Sequence, residues 1–110
     1  MATSNALSVE RGAHDMRVRP EPELTAAQAS ALRAALDDLL AEPVPLVLDL
    51  RALERLDACG LQLLLAFVAA RRTLGLACSI DADNAVVRDA VRVSGLGQHL
   101  GLDLAEQPIA

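Results

Sequence analysis

Residues 44–50 read Val-Pro-Leu-Val-Leu-Asp-Leu, β-branched and Leu-rich, with no polar alternation until Asp49. A strand apolar on both faces belongs at the covered centre of a sheet, between parallel neighbours. Parallel neighbours cannot be joined by a tight turn; each needs a crossover, normally a helix, and that crossover is right-handed. The flanking sequence supplies the crossovers. Helical spacing precedes the run over residues 25–41 and follows it over residues 61–72, and a second apolar run occupies residues 76–80. Two alternating segments at the start and a further helical segment after Asn84 complete the order ββαβαβα plus a short tail. The expectation is an α/β domain built on a mixed β-sheet of about four to five strands with helices packed on it.

The local signals agree with that order. Leu7-Ser-Val-Glu10 and Met16-Arg-Val-Arg19 alternate apolar with polar, which suits a hairpin with one wet face and Gly12 in its connection. Pro20 and Pro22 are expected to end any strand there. Thr25 and Gln28 have capping-box spacing, and Ala29, Leu32, Leu36, Leu39 and Leu40 then recur with helical period, closed off near Pro43 and Pro45. Residues 51–56 read as a charged connector, Gly75 ends the second helix, and Asp83 or Asn84 caps the third, with Val87, Ala90, Val91 and Ser94 on one face. Gly95-Leu96 reads as a helix end, and Leu100, Leu102 and Leu104 as a short strand or one helical turn.

A chain of 110 residues has room for one domain, residues 1–110, and 53% hydrophobic content supplies a core made almost wholly of Leu, Ala and Val. Phe67 is the only aromatic residue and the net charge is −5. Stacking platforms and a clustered positive face are therefore missing, local basic patches such as Arg71-Arg72 and Arg88/Arg92 notwithstanding, and direct nucleic-acid binding is not expected. The apolar run of residues 61–70 is broken only by Gln62 and has half the length needed to span a bilayer, so no membrane insertion is expected. The first residues carry no basic region followed by an apolar one, which points to the cytoplasm, where Cys59 and Cys78 remain free thiols.

No enzyme constellation emerges. His14 and His99 have no Ser or Cys at motif spacing, no CxxC or HxxxH pair starts a metal site, and no cofactor loop is present. Asp37-Asp38 and Glu21/Glu23 read as solvated faces. The turn Asp57-Ala58-Cys59-Gly60 stands apart, because small residues there lead into an almost wholly apolar helix. Asp57 is either a plain helix cap or the edge of a docking surface that presents the first helical amides to a partner. Cys59 is either a small hydrophobe or a thiol activated by the helix start, whereas Cys78, in a central strand, is core.

The stretch Leu46-Val-Leu-Asp-Leu-Arg-Ala-Leu-Glu-Arg-Leu-Asp-Ala-Cys-Gly-Leu-Gln-Leu-Leu-Leu resembles the signature of STAS domains, the family of anti-sigma factor antagonists and their relatives. That signature is a strand ending Asp-Leu, a connector of about six residues, Asp-Ser-Ser-Gly or a variant, then Leu-x-x-Leu. Glu23-Leu24-Thr25, Gly75 and Val93-Ser94-Gly95-Leu96 extend the resemblance over residues 7–102. It implies a mixed sheet with helices packed mainly on one side, and a binding module rather than an enzyme. The implied partner is an anti-sigma factor, a histidine-kinase-like protein or an ATPase subunit. The implied binding face comprises Asp57, Ala58, Cys59, Gly60 and Gln62, with Asp81 and Asn84 joining it because loops at the same ends of parallel strands converge.

In phosphorylated family members a kinase modifies the Ser that follows the motif Asp, and the added charge breaks the complex. Here that position is Ala58, which has no hydroxyl, and the next is Cys59. The resemblance therefore implies a binder without Ser phosphorylation control. Its alternatives are an accessory STAS subunit of an ABC-type lipid transporter or of a chemotaxis array, the latter being the group to which Gln62 and the Pro22-to-Thr25 start are similar, and, ranked below these, a Cys59 thiol switch.

Overall fold

The structure, a computed structural model, describes residues 7–94. The elements in chain order are β1 (Leu7–Arg11), β2 (Met16–Pro20), β3 (Glu23–Leu24), a single 3-10 turn (Ala26–Gln28), α1 (Ala29–Leu39), β4 (Leu46–Asp49), β5 (Arg55–Leu56), α2 (Ala58–Thr73), β6 (Cys78–Asp81) and α3 (Ala85–Ser94). The expected helix end at Gly95-Leu96, the Leu100–Leu102–Leu104 segment and His99 lie outside the described residues.

Alternation builds the hairpin as expected: β1 and β2 pair antiparallel with Val9 opposite Val18, and the Gly12 N–H donates to Asp15 O at 2.8 Å to close the turn. Pro20 does not stop the strand short. It is the last residue of β2, where a missing N–H interrupts no further ladder. β4 lies between β2 and β6 and is parallel to both, giving a four-stranded mixed sheet ordered β1-β2-β4-β6.

Among the described residues the helices pack on one face of the sheet. Met16, Val18, Leu46, Leu48 and Cys78 point into a common core with Leu32, Leu36 and Leu39 of α1, Leu61, Leu64, Phe67 and Val68 of α2, and Val87 and Val91 of α3. Each such fully buried Leu or Val contributes on the order of 2 kcal/mol of transfer free energy. The expectation that β4 is apolar and covered on both sides is corrected at Val47 and Asp49. Val47 is half-buried on the face away from the helices, and Asp49 on that face is sealed by arginine side chains instead of by a helix.

Two other elements differ from the expectation. The helix over residues 25–41 starts as a 3-10 turn and becomes α-helical at Ala29, because the Gln28 Oε1 accepts from both the N–H and the hydroxyl of Thr25 and tightens that entry. The connector of residues 51–56 and the segment after Pro22 form a second, two-stranded parallel sheet, with Glu23 opposite Arg55 and Leu24 opposite Leu56.

Arg71, read from the sequence as half of a basic pair, is fully buried in the last turns of α2. Its guanidinium donates to the carbonyls of Leu39, Leu40, Glu42, Val44 and Ala77 at 2.9–3.3 Å. The C-terminal carbonyls of α1 have no helical partners, and a cation is the favoured group at that end of a helix. Beyond it Gly75, at φ 76°, lets Leu76 N–H reach back to Arg71 O and closes α2.

Candidate docking surface

The site begins with the parallel pair β3–β5. It brings residue 24 beside residue 56, so that the chain leaves β3 toward Thr25 at the place where it leaves β5 toward Asp57. Asp57 joins the two exits. Its backbone N–H donates to Leu24 O at 3.2 Å, its Oδ1 accepts from Gly60 N–H at 3.0 Å, and its Oδ2 accepts from Ala26 N–H at 2.9 Å. The bonds from the Gly60 and Ala26 amides hold the Asp57 carboxyl below its ordinary range, against a partial desolvation that pushes it up.

α2 starts at Ala58, not at Leu61, so Ala58, Cys59 and Gly60 form its first turn. The cap reading of Asp57 is thus what the geometry displays, and it consumes the Gly60 amide that a sharp open turn would have left to a partner. Ala58 and Cys59 are exposed, and Gln62, four residues after Ala58, is exposed on the same side of the helix. Gly60 lies beneath this surface. It is buried against Leu24, and its part in the site is to let α2 approach β3 closely.

Asn84 does cap α3: its Oδ1 accepts from Val86 N–H at 2.7 Å. Its side-chain amide donates to the carbonyls of Leu50, Arg51 and Leu53 at 2.8–3.1 Å, tying α3 to the connector that leads into β5. Asp81 faces the other way. It sits on the open face of the sheet, where its Oδ2 meets Arg17 at 3.0 Å and Arg51 at 3.4 Å. Parallel register places Asp81 beside Asp49, so its side chain lies across the sheet from α2 rather than with Ala58 and Cys59.

The open face holds what the sequence reading missed. Asp49 is buried, and its two oxygens accept from Arg17, Arg19 and Arg51, with the Arg51 backbone N–H completing the set at 3.1 Å. These bonds, those of Arg51 foremost, hold the Asp49 carboxyl far below the carboxylate range despite its burial. Arg51 is pushed up in turn by Asp49. The signal was available: Arg17 and Arg19 alternate on one face of β2, and register puts Arg17 beside Val47, two residues from Asp49.

Cys59 is exposed, whereas Cys78 is buried and its thiol is pushed up by desolvation. Among the described residues no group of His, Cys, Asp and Glu is arranged to hold a metal ion, and no helix is long and apolar enough to cross a membrane.

A mixed four-stranded sheet with three helices, an Asp-capped α2 and a family model described as "Mlab, STAS domain" matching residues 7–105 decide the relationship. The chain belongs to the STAS domain family. The fold is similar to that of an anti-sigma factor antagonist from Mycobacterium paratuberculosis, with TM-score 0.68 and 27% identity over 84% of this chain and 79% of that one. It is also similar to the phosphorylated form of the Bacillus cell fate determinant SpoIIAA, at TM-score 0.62 and 18% identity over 84% and 86% of the two chains. The STAS domain of an anti-sigma factor antagonist from Rhodobacter sphaeroides follows, at TM-score 0.60 and 22% identity over 76% and 88%. No curated protein sequence matches the chain.

Proposed function

We propose that this STAS domain acts by docking onto a protein partner in the cytoplasm through the first turn of α2, without catalysis of its own. Ala58, Cys59 and Gln62 are the contact residues, Asp57 and Gly60 fix the helix that carries them, and Asn84 holds the adjoining connector. Asp81 enters only as a support on the far face of the sheet. The partner class is an anti-sigma factor or a histidine-kinase-like ATPase domain, in keeping with the similarity to the M. paratuberculosis anti-sigma factor antagonist. One observation carries the reading: an exposed Ala58 stands next to the capping Asp57, at the position that the resemblance assigns to the modified Ser of phosphorylated STAS domains. Partner affinity is then constant with respect to phosphorylation at residue 58.

The test is binding of the purified domain to the anti-sigma factor or kinase-like ATPase encoded nearest to it. Ala58→Glu places a bulky charge in the contact and lowers affinity by at least about tenfold, with the fold retained because Ala58 is exposed. Unchanged affinity overturns the surface. The family description, which names Mlab, favours a second reading in which the same face seats the domain permanently on an ABC-type lipid transporter. An ABC ATPase encoded beside the chain, and co-purifying with it in fixed ratio, distinguishes that reading from partner switching.

A further inference from the structure

Beside the Asp57 end of α2 a groove of ≈ 910 Å³ opens between the β3–β5 pair and α3. Its apolar wall is a helical stripe, Val86, Ala90 and Val93, at i, i+4 and i+7 on α3, continued by Leu56. Val87 and Val91 of the same helix face the core and Ala90 packs partly against it, which leaves Val86 and Val93 as the open part of this stripe. Val93 is 79% exposed, one of two large hydrophobic side chains left to water among the described residues. The i, i+4, i+7 spacing is the pattern by which one helix receives another.

The lining is acidic. Glu23, Glu54, Asp57 and Asp89 contribute carboxylates, of which Asp57 is held by the Gly60 and Ala26 amides and Asp89 is paired with Arg92, and Arg55 is the one basic residue in the lining. Arg55 reaches Glu23 only at 3.9 Å, and Glu54 is in no ion pair among the described residues. An apolar stripe edged by carboxylates selects its complement, an apolar stripe edged by ammonium or guanidinium groups.

We propose that this groove receives a basic amphipathic helix of the protein partner, packed along Val86, Ala90 and Val93 with Lys or Arg side chains on the Glu23 and Glu54 edge. The proposal rests on the docking reading above, whose Asp57 end the groove adjoins. Two other occupants fit the charge poorly. Residues 95–110 contain Asp103 and Glu106 and no Lys or Arg, and a second copy of the chain brings a net charge of −5 to an acidic rim.

The probe is a synthetic peptide of about fourteen residues, with Leu on one helical face and Lys elsewhere, beside a control with Glu in place of Lys. The full chain, ¹⁵N-labelled, is titrated with each. The Lys peptide is expected to shift the amide resonances of Leu56, Val86, Ala90 and Val93 saturably, and the Glu peptide to leave them in place. Glu54→Lys and Val93→Lys, both at exposed positions, weaken the Lys peptide by about tenfold each without altering the circular dichroism spectrum. Shifts centred on the open sheet face, equal responses to the two peptides, undiminished affinity in both variants, or peptide-free shifts that grow with protein concentration each overturn the proposal. The same variants separate it from the docking reading. If Ala58→Glu releases the protein partner and the groove variants do not, the helix face stands and the groove fails; the opposite pattern leaves the groove and removes the helix face.

Discussion

Gly60 packs so closely under Leu24 that a Cβ on residue 60 would lie 2.4 Å from Leu24 O and 2.9 Å from Leu24 Cβ. The obstructing atom is a backbone carbonyl that already accepts from Asp57 N–H, so it cannot move without opening the β3–α2 junction. Gly60→Ala is expected to destabilise the fold by about 3 kcal/mol, at the upper end for overpacking, read as a lower urea midpoint at unchanged slope. Because the effect passes through the fold, partner affinity per folded molecule changes less than with Ala58→Glu.

Asp49 gathers two arginines of β2 and Arg51 of the connector into one cluster on the open sheet face, and its folded carboxyl is held well below an unfolded Asp. A depressed carboxyl contributes stability that is complete above the unfolded value near pH 4 and is lost as pH falls toward the folded one. Asp57 is displaced in the same direction and adds to the trend. Urea midpoints measured between pH 7 and pH 3 should therefore be level down to about pH 5 and then fall. Asp49→Asn should flatten that fall and lower stability at pH 7 by about 2 kcal/mol, less than a fully buried pair because its arginines are partly solvated.

The two thiols differ in access. Cys59 is exposed in the first turn of α2, while Cys78, on the edge strand β6 rather than a central one, is buried in the core beside Leu46 with its thiol pushed up. A thiol reagent at neutral pH should titrate one group per native chain, the second appearing only in denaturant, and Cys59→Ser should remove the native one. If Cys59 reacts no faster than free cysteine, a thiol switch at this position is ruled out.

Arg71 collects five carbonyls from the end of α1, the loop after it and the entry to β6. Arg71→Met keeps the volume and leaves those carbonyls without their donor. It should destabilise by about 3 kcal/mol. Thermal unfolding by circular dichroism gives the measure, and Arg71→Lys should recover only part of the loss, since an ammonium has three donors and no fork.

The parts of this fold that were legible in the sequence are those set by period and punctuation. The β1–β2 hairpin, the parallel β4 between two neighbours, the Asp57 cap and the Gly75 stop follow from alternation, apolar runs and the residues that bound them. What was not legible depends on which distant groups meet. β3 and β5 are two residues long, below the reach of any pattern, yet they place Ala26 N–H on the Asp57 carboxylate. Asp49 looked like the polar end of an apolar strand because its three arginines come from β2 and from the connector. Arg71 reads as half of a basic pair because its acceptors are backbone carbonyls, which carry no sequence signal. Asp81 was grouped with Asp57 by its position at a strand end, but residue parity on β6 sends its side chain to the opposite face.

The first turn of α2 is the surface proposed to touch a partner. The direct measurement is the dissociation constant of the wild-type domain and of Ala58→Glu for the anti-sigma factor or kinase-like ATPase encoded beside it, with unfolding curves to show both variants folded. A loss of at least about tenfold at equal stability is the predicted result. Equal dissociation constants for the two proteins contradict it.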